Sequence, residues 1–141
     1  MRVSRFLTAA GLALVIAVTM SVSSLAQSKT DADFDKLMKA VGAANGAMRG
    51  TAKEQNAAGL AAEAAKMVSL FKDSEAFWKA RNNAEAAAWS AAAATHADGI
   101  AKAGADMGAA MGRIKELGGT CQTCHAKYRD KDANGFIIKK G

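Results

Sequence analysis

Both cysteines of the 141-residue chain, and one of its two histidines, fall within five residues as Cys121, Cys124 and His125 in the stretch GGTCQTCHAKYRDK. The spacing C-x-x-C-H is the one associated with covalent haem attachment. Two thiols can hold the two vinyl groups of a haem as thioethers, and the adjacent imidazole can ligate the iron. On a helix, residues three and four apart share a face, so all three groups would project to one side. Gly118 and Gly119 lie one turn earlier. Inside a helix each costs about 1 kcal/mol relative to alanine. Clearance for a flat macrocycle against the backbone is a sufficient reason for them.

Other chemistry suits these residues less well. A structural zinc site needs a fourth ligand, and only His96 could add a further nitrogen or sulfur donor. A thioredoxin-like dithiol expects a βαβ setting, which a helical chain lacks. A disulfide across two intervening residues would staple almost nothing, and it would leave His125 unexplained.

The N-terminus bears on the redox state of those thiols. Arg2 and Arg5 precede the apolar run FLTAAGLALVIAVTM and the small residues SVSSLA. That pattern reads as a secretory signal peptide over residues 1–26. The run is short of the roughly 20 apolar residues that span a bilayer. The mature domain is then 27–141, exported to the periplasm. Without Arg2 and Arg5 it carries 17 basic and 13 acidic residues, a net charge of +4. So mild and dispersed an excess could steer the protein to an acidic partner but does not argue for nucleic acid. No other apolar run suggests a membrane span.

The elements that must position the motif read as helices. The chain has no proline and is rich in alanine, and nothing alternates as a β-strand does. A first helix is expected from about Asp31 to Arg49, with Thr30 and Asp33 as a capping pair and Gly50 as its break. A second would start at the Thr51–Glu54 capping box and end near Phe71. KDSEAFWKARNN would be a connection. A third would run from Asn83 towards Ala103, and a fourth from the Gly104–Asp106 turn to about Lys131. The fold class expected is all-α, an antiparallel up-down-up-down four-helix bundle with one covalently bound haem.

At this point the chain resembles a known family. A C-terminal CQTCHAKYR on the last helix of an exported four-helix bundle is similar to the cytochrome c′ family, the class II c-type cytochromes. LMKAVGAANGAMRG in the first helix and Trp78 before the third also match its pattern. The resemblance covers essentially the whole mature chain. It implies thioethers from Cys121 and Cys124, axial ligation by His125, and Arg129 near the haem on the proximal side. It also implies that a homodimer through the first two helices is common. One departure is plain: many members carry an arginine one turn before the distal position, where this chain has Phe34, so the partner of the haem propionates is left open.

Family members differ at the sixth iron position. Some leave it empty and bind nitric oxide or carbon monoxide; others ligate methionine and carry electrons. In antiparallel helices, Met38, about seven residues into the first helix, stands level with His125, about seven residues from the end of the fourth, roughly 10 Å in each case. Met48, Met107 and Met111 fall at the wrong level, and His96 lies too far away. Met67 competes if the second helix ends near Phe71. The resemblance favours Met38 as the sixth ligand. The expected function is one-electron transfer between redox partner proteins, with no bond made or broken in a substrate. Ligand binding at an open distal site is the alternative.

Overall fold

The computed structural model describes residues 29–133 and 135–139; the expected signal peptide lies outside the described residues. Four helices, α1 (Asp31–Lys53), α2 (Ala57–Ala80), α3 (Ala84–Lys102) and α4 (Met107–Tyr128), are followed by two short strands, β1 (Arg129–Asp132) and β2 (Gly135–Ile138). The helices pack against one another as a bundle. Among the described residues no helix is long and apolar enough to cross a membrane.

The first helix starts as its sequence suggests. Thr30 Oγ1 accepts from the Asp33 amide at 3.2 Å, and Asp33 Oδ2 accepts from the Thr30 amide at 3.0 Å. Its end differs from expectation. Gly50 does not break the helix, because one glycine costs only about 1 kcal/mol and Met48 and Val41 are buried on the same helix. Thr51 is not a cap either; its hydroxyl donates back to the Met48 carbonyl at 2.9 Å. The chain turns at Gln55, whose φ is 53°, and Asn56 caps α2 through the Gly59 amide at 2.9 Å. A Cβ at Gly59 would stand 2.8 Å from Asn56 Nδ2 and 2.9 Å from Thr51 Cγ2. Gly59→Ala should therefore push the cap open and lower stability by about 1 kcal/mol, read as a reduced urea midpoint at unchanged slope.

The second correction is larger. KDSEAFWKARNN is mostly helix, and α2 runs nine residues past Phe71 to Ala80. Phe71, Ser74, Phe77 and Trp78 are all buried, so the inward stripe continues through the polar stretch at spacings of three and four. Lys72, Asp73, Glu75 and Lys79 occupy the outer side, where Glu75 and Lys79 pair at i,i+4. Burial of two aromatics outweighs the local polarity.

The third departure is at the C-terminus. The fourth helix stops at Tyr128 instead of about Lys131, and the chain forms an antiparallel hairpin with Arg129 opposite Ile138 and Asp132 opposite Gly135. Gly135, whose φ is 134°, opens β2 ahead of the β-favouring run FII.

Two apolar clusters fill the interior. The larger centres on Met48, Leu60, Met67, Ile100 and Leu117, with many alanines between them. The smaller gathers Phe34, Phe77, Trp78, Ala86 and Ala87, with Leu37, Tyr128 and Ile138 against it. Phe34 stacks on Phe77 with centroids 4.0 Å apart, and Trp78 meets both rings edge-on. The helices do not pack equally. The alanine face of α3 lies closely along α2, whereas α1 and α4 come within 8 Å of each other, Cα to Cα, at almost no point.

Candidate haem-attachment face

Contacts between helix ends fix what lies around the C-x-x-C-H segment. Arg81, after α2, pairs with Asp31 at the start of α1 (2.5 Å) and donates to the Lys29 carbonyl at 3.1 Å. Buried Ser74 and Ser90 join α2 to α3 at 2.9 Å. Glu85, in the first turn of α3, holds Lys127 at 2.5 Å and accepts from the Tyr128 hydroxyl at 2.8 Å. The last turn of α4 thus lies beside the first turn of α3. The hairpin lays Ile138 against the small cluster that also contacts Leu37 and Met38.

Cys121, Cys124, His125 and Tyr128 are all partly buried, and the residues between them are exposed. They form one stripe of α4, as the spacing predicts. Cys121 packs on the larger cluster and Tyr128 on the smaller one, so Cys124 and His125 lie between the two. Met38 touches both clusters. It is half-buried on α1. Neither glycine before the motif is crowded by protein. A Cβ at Gly118 would meet only Arg49 Nη2, at 4.0 Å, and one at Gly119 would meet nothing within 4 Å.

The sulfurs are free thiols. Burial pushes the Cys121 thiol up, partly offset by the Arg49 guanidinium. Burial, then Cys121, then the Glu85 carboxylate push Cys124 up to about 11. Both are protonated at neutral pH, the opposite of the depressed thiol of a dithiol oxidoreductase. Burial, and then the positive charge of Arg129, lower the pKa of His125, so its imidazole is neutral and has a lone pair available for a metal. Among the described residues no three His, Cys, Asp or Glu side chains form a group that could share one metal ion. His96 is half-buried, 3.2 Å from Glu116, at an angle that makes no hydrogen bond. The residues present suit thioether and axial attachment of a haem.

The remaining expected residues fall as follows. Arg129 stacks on Phe136, 4.3 Å from the ring centroid, and with His125 and Lys131 lines a groove of about 420 Å³ at the hairpin. Met67 is fully buried in the larger cluster. Because α2 ends at Ala80, Met67 lies thirteen residues from that end, roughly 20 Å, and the level assigned to it with a helix ending at Phe71 does not hold. His125 is three residues from the end of α4, not seven. The equal heights expected of Met38 and His125 from the helix ends therefore do not hold; Met38 and Ile138 pack against the same small cluster, where the hairpin meets α1. Two residues near the motif were not legible as such. Arg49 is 72 residues before Cys121 and on a different helix, and Glu85 reads as an ordinary first-turn acid. None of the protein-family models, curated proteins or solved structures compared with the chain matches it.

Proposed function

We propose that the protein is an exported, mono-haem c-type electron carrier resembling the low-spin members of the cytochrome c′ family. In this reading its helices are ordered up-down-up-down. The observation that carries it is the single half-buried stripe of α4 that presents two protonated thiols and a neutral imidazole where α1 and α4 stay apart. The bundle order is supported by the end-to-end contacts: α1 start with α2 end, α2 end with α3 start, α3 start with α4 end.

Cys121 and Cys124 would hold the haem through thioethers, and His125 would hold the iron. Met38 is the proposed sixth ligand and Arg129 a cation on the proximal side. The haem supplies a one-electron ferric/ferrous couple. The chain excludes water with the two apolar clusters and keeps the imidazole unprotonated by burying it. A thioether opposite a histidine raises the potential relative to other axial sets. Two ligands from rigid helices restrict movement when the charge changes. The partners proposed are other redox proteins in the periplasm.

Attachment is tested by mass. The exported protein should weigh its polypeptide from about Gln27 plus one haem, and the pigment should stay with the polypeptide in acid-acetone. Haem that extracts freely, or an unmodified mass, would contradict covalent attachment. Gly118→Ala separates two roles of that glycine. Without haem it should be neutral or stabilise by up to about 1 kcal/mol, because no protein atom is crowded. With haem it should lower the yield of attached pigment.

A further inference from the structure

The residues of β1 alternate in charge, Arg129, Asp130, Lys131 and Asp132, and all four are exposed. Successive residues of a strand point to opposite faces, so the pleat sorts the cations from the anions. The register places Arg129 opposite Ile138 and Lys131 opposite Phe136, with Asp130 opposite Ile137. Opposed residues share a face. One face of the hairpin therefore carries Arg129, Lys131, Phe136 and Ile138, and the other carries Asp130, Asp132 and Ile137. The Arg129 guanidinium lies over the Phe136 ring, 4.3 Å from its centroid, in agreement with that sorting.

The bundle does not cover the cationic face along its whole length. Ile138 turns inward onto the smaller cluster, but Phe136 is 55% exposed. Gln122, His125 and Ala126 of α4 line the same groove as Arg129, Lys131 and Phe136. Asp130 also borders the groove, and its carboxylate is turned back onto the Lys131 amide at 2.8 Å. Among the described residues no carboxylate forms an ion pair with Arg129 or Lys131, whereas neighbouring Lys127 is held by Glu85. An exposed aromatic ring beside arginine is the composition of an interface centre. Two unneutralised cations next to it select an acidic surface as the cover.

We propose that this face of the hairpin docks an acidic patch of a partner protein, with Phe136 at the centre of the contact and Arg129 and Lys131 beside it. That the partner is a redox protein rests on the haem reading above, since the docked surface would stand beside His125. Asp130 and Asp132, on the other face, repel the same patch and fix which way the partner sits. A small contact suffices, because weak electron-transfer complexes bury less than about 1,200 Å². An anionic bilayer suits the face less well. Two cations attract it only weakly, and neither four-residue strand offers the long apolar face of a membrane-surface helix.

The test uses the mature full-length protein, labelled with ¹⁵N, reduced under carbon monoxide and titrated with poly-L-glutamate at low salt. Amide signals of Arg129, Lys131 and Phe136 should shift together and saturably, and return when added salt screens the charges. Lys131→Glu should weaken binding at least about tenfold, as for one lost charge-assisted contact, and Lys131→Gln serves if the reversal disturbs the hairpin. Phe136→Ser should weaken binding without changing its salt dependence. Lys53→Glu, the same change of charge at the far end of α1, should leave it nearly unchanged. In stopped flow, Lys131→Glu should slow oxidation of the reduced haem by hexacyanoferrate(III), an anion, and should not slow oxidation by the cation tris(phenanthroline)cobalt(III). Polyglutamate binding at the hairpin of a protein without haem keeps the acidic-partner surface and removes the electron-carrier reading. Shifts scattered over the lysines of α1, α2 and α3, or binding indifferent to both Lys131 and Phe136, overturn the proposal. Co-sedimentation with phosphatidylserine vesicles through Lys131, without saturable polyglutamate binding, assigns the face to a membrane and overturns it too.

Discussion

Met38→Ala is expected to turn a low-spin haem into a high-spin or water-ligated one, to open the iron to carbon monoxide and to lower the reduction potential. The reason is that Met38 packs against both apolar clusters, between which the Cys121–Tyr128 stripe of α4 also runs. Among the other described methionines, Met107 packs against the larger cluster. Met48 and Met67 are fully buried in the larger cluster, and Met111 is 52% exposed on α4. The control is Met67→Ala. It should leave the spectrum unchanged and cost about 2–5 kcal/mol, as buried methionine truncations do. Absorption spectra and carbon monoxide binding rates separate the two variants. If Met67→Ala opens the iron and Met38→Ala does not, the ligand comes from α2. If neither changes the spectrum of a protein that is already high-spin, the sixth site is open.

Loss of both attachment points, in Cys121→Ser with Cys124→Ser, should weaken the bundle unevenly. The α2–α3 pair has a continuous inner surface of small and aromatic side chains, including Ala86, Ala93, Ala97, Phe71 and Phe77. The α1–α4 side lacks close backbone approach. A haem bound to the folded state alone stabilises it by mass action, and its contacts would lie on that open side. Amide exchange should therefore quicken most in α1 and in the second half of α4, while α2 and α3 keep most of their protection. Uniform acceleration across all four helices, or an unchanged melting temperature, would contradict a haem that fills that side of the core.

Which features were readable in the sequence follows from how local their causes are. The cap at Thr30 depends on a residue three positions on, and the attachment motif lies within five residues of one helix. Both read directly. The extension of α2 was hidden because Lys72, Asp73 and Glu75 look like a loop unless the inward positions of Phe71, Ser74, Phe77 and Trp78 are counted together. Gly50 looked like a stop, but burial of Met48 carries α1 past it. The hairpin has a local signal in the β-favouring run FII after Gly135, but Tyr128 continues the helical spacing of Cys121 and Cys124 and so hides the end of α4. Arg49 and Glu85 owe their significance to neighbours distant in sequence, and periodicity carries no trace of them.

The most direct measurement is an absorption spectrum of the exported protein in both oxidation states, with and without carbon monoxide. Low-spin c-type haem spectra in both states, little altered by carbon monoxide over the mixing time, are expected of an electron carrier with Cys121, Cys124, His125 and Met38 around its iron. A colourless protein would contradict the haem itself. A high-spin spectrum that converts promptly with carbon monoxide would contradict the carrier and leave a gas-binding haem protein in its place.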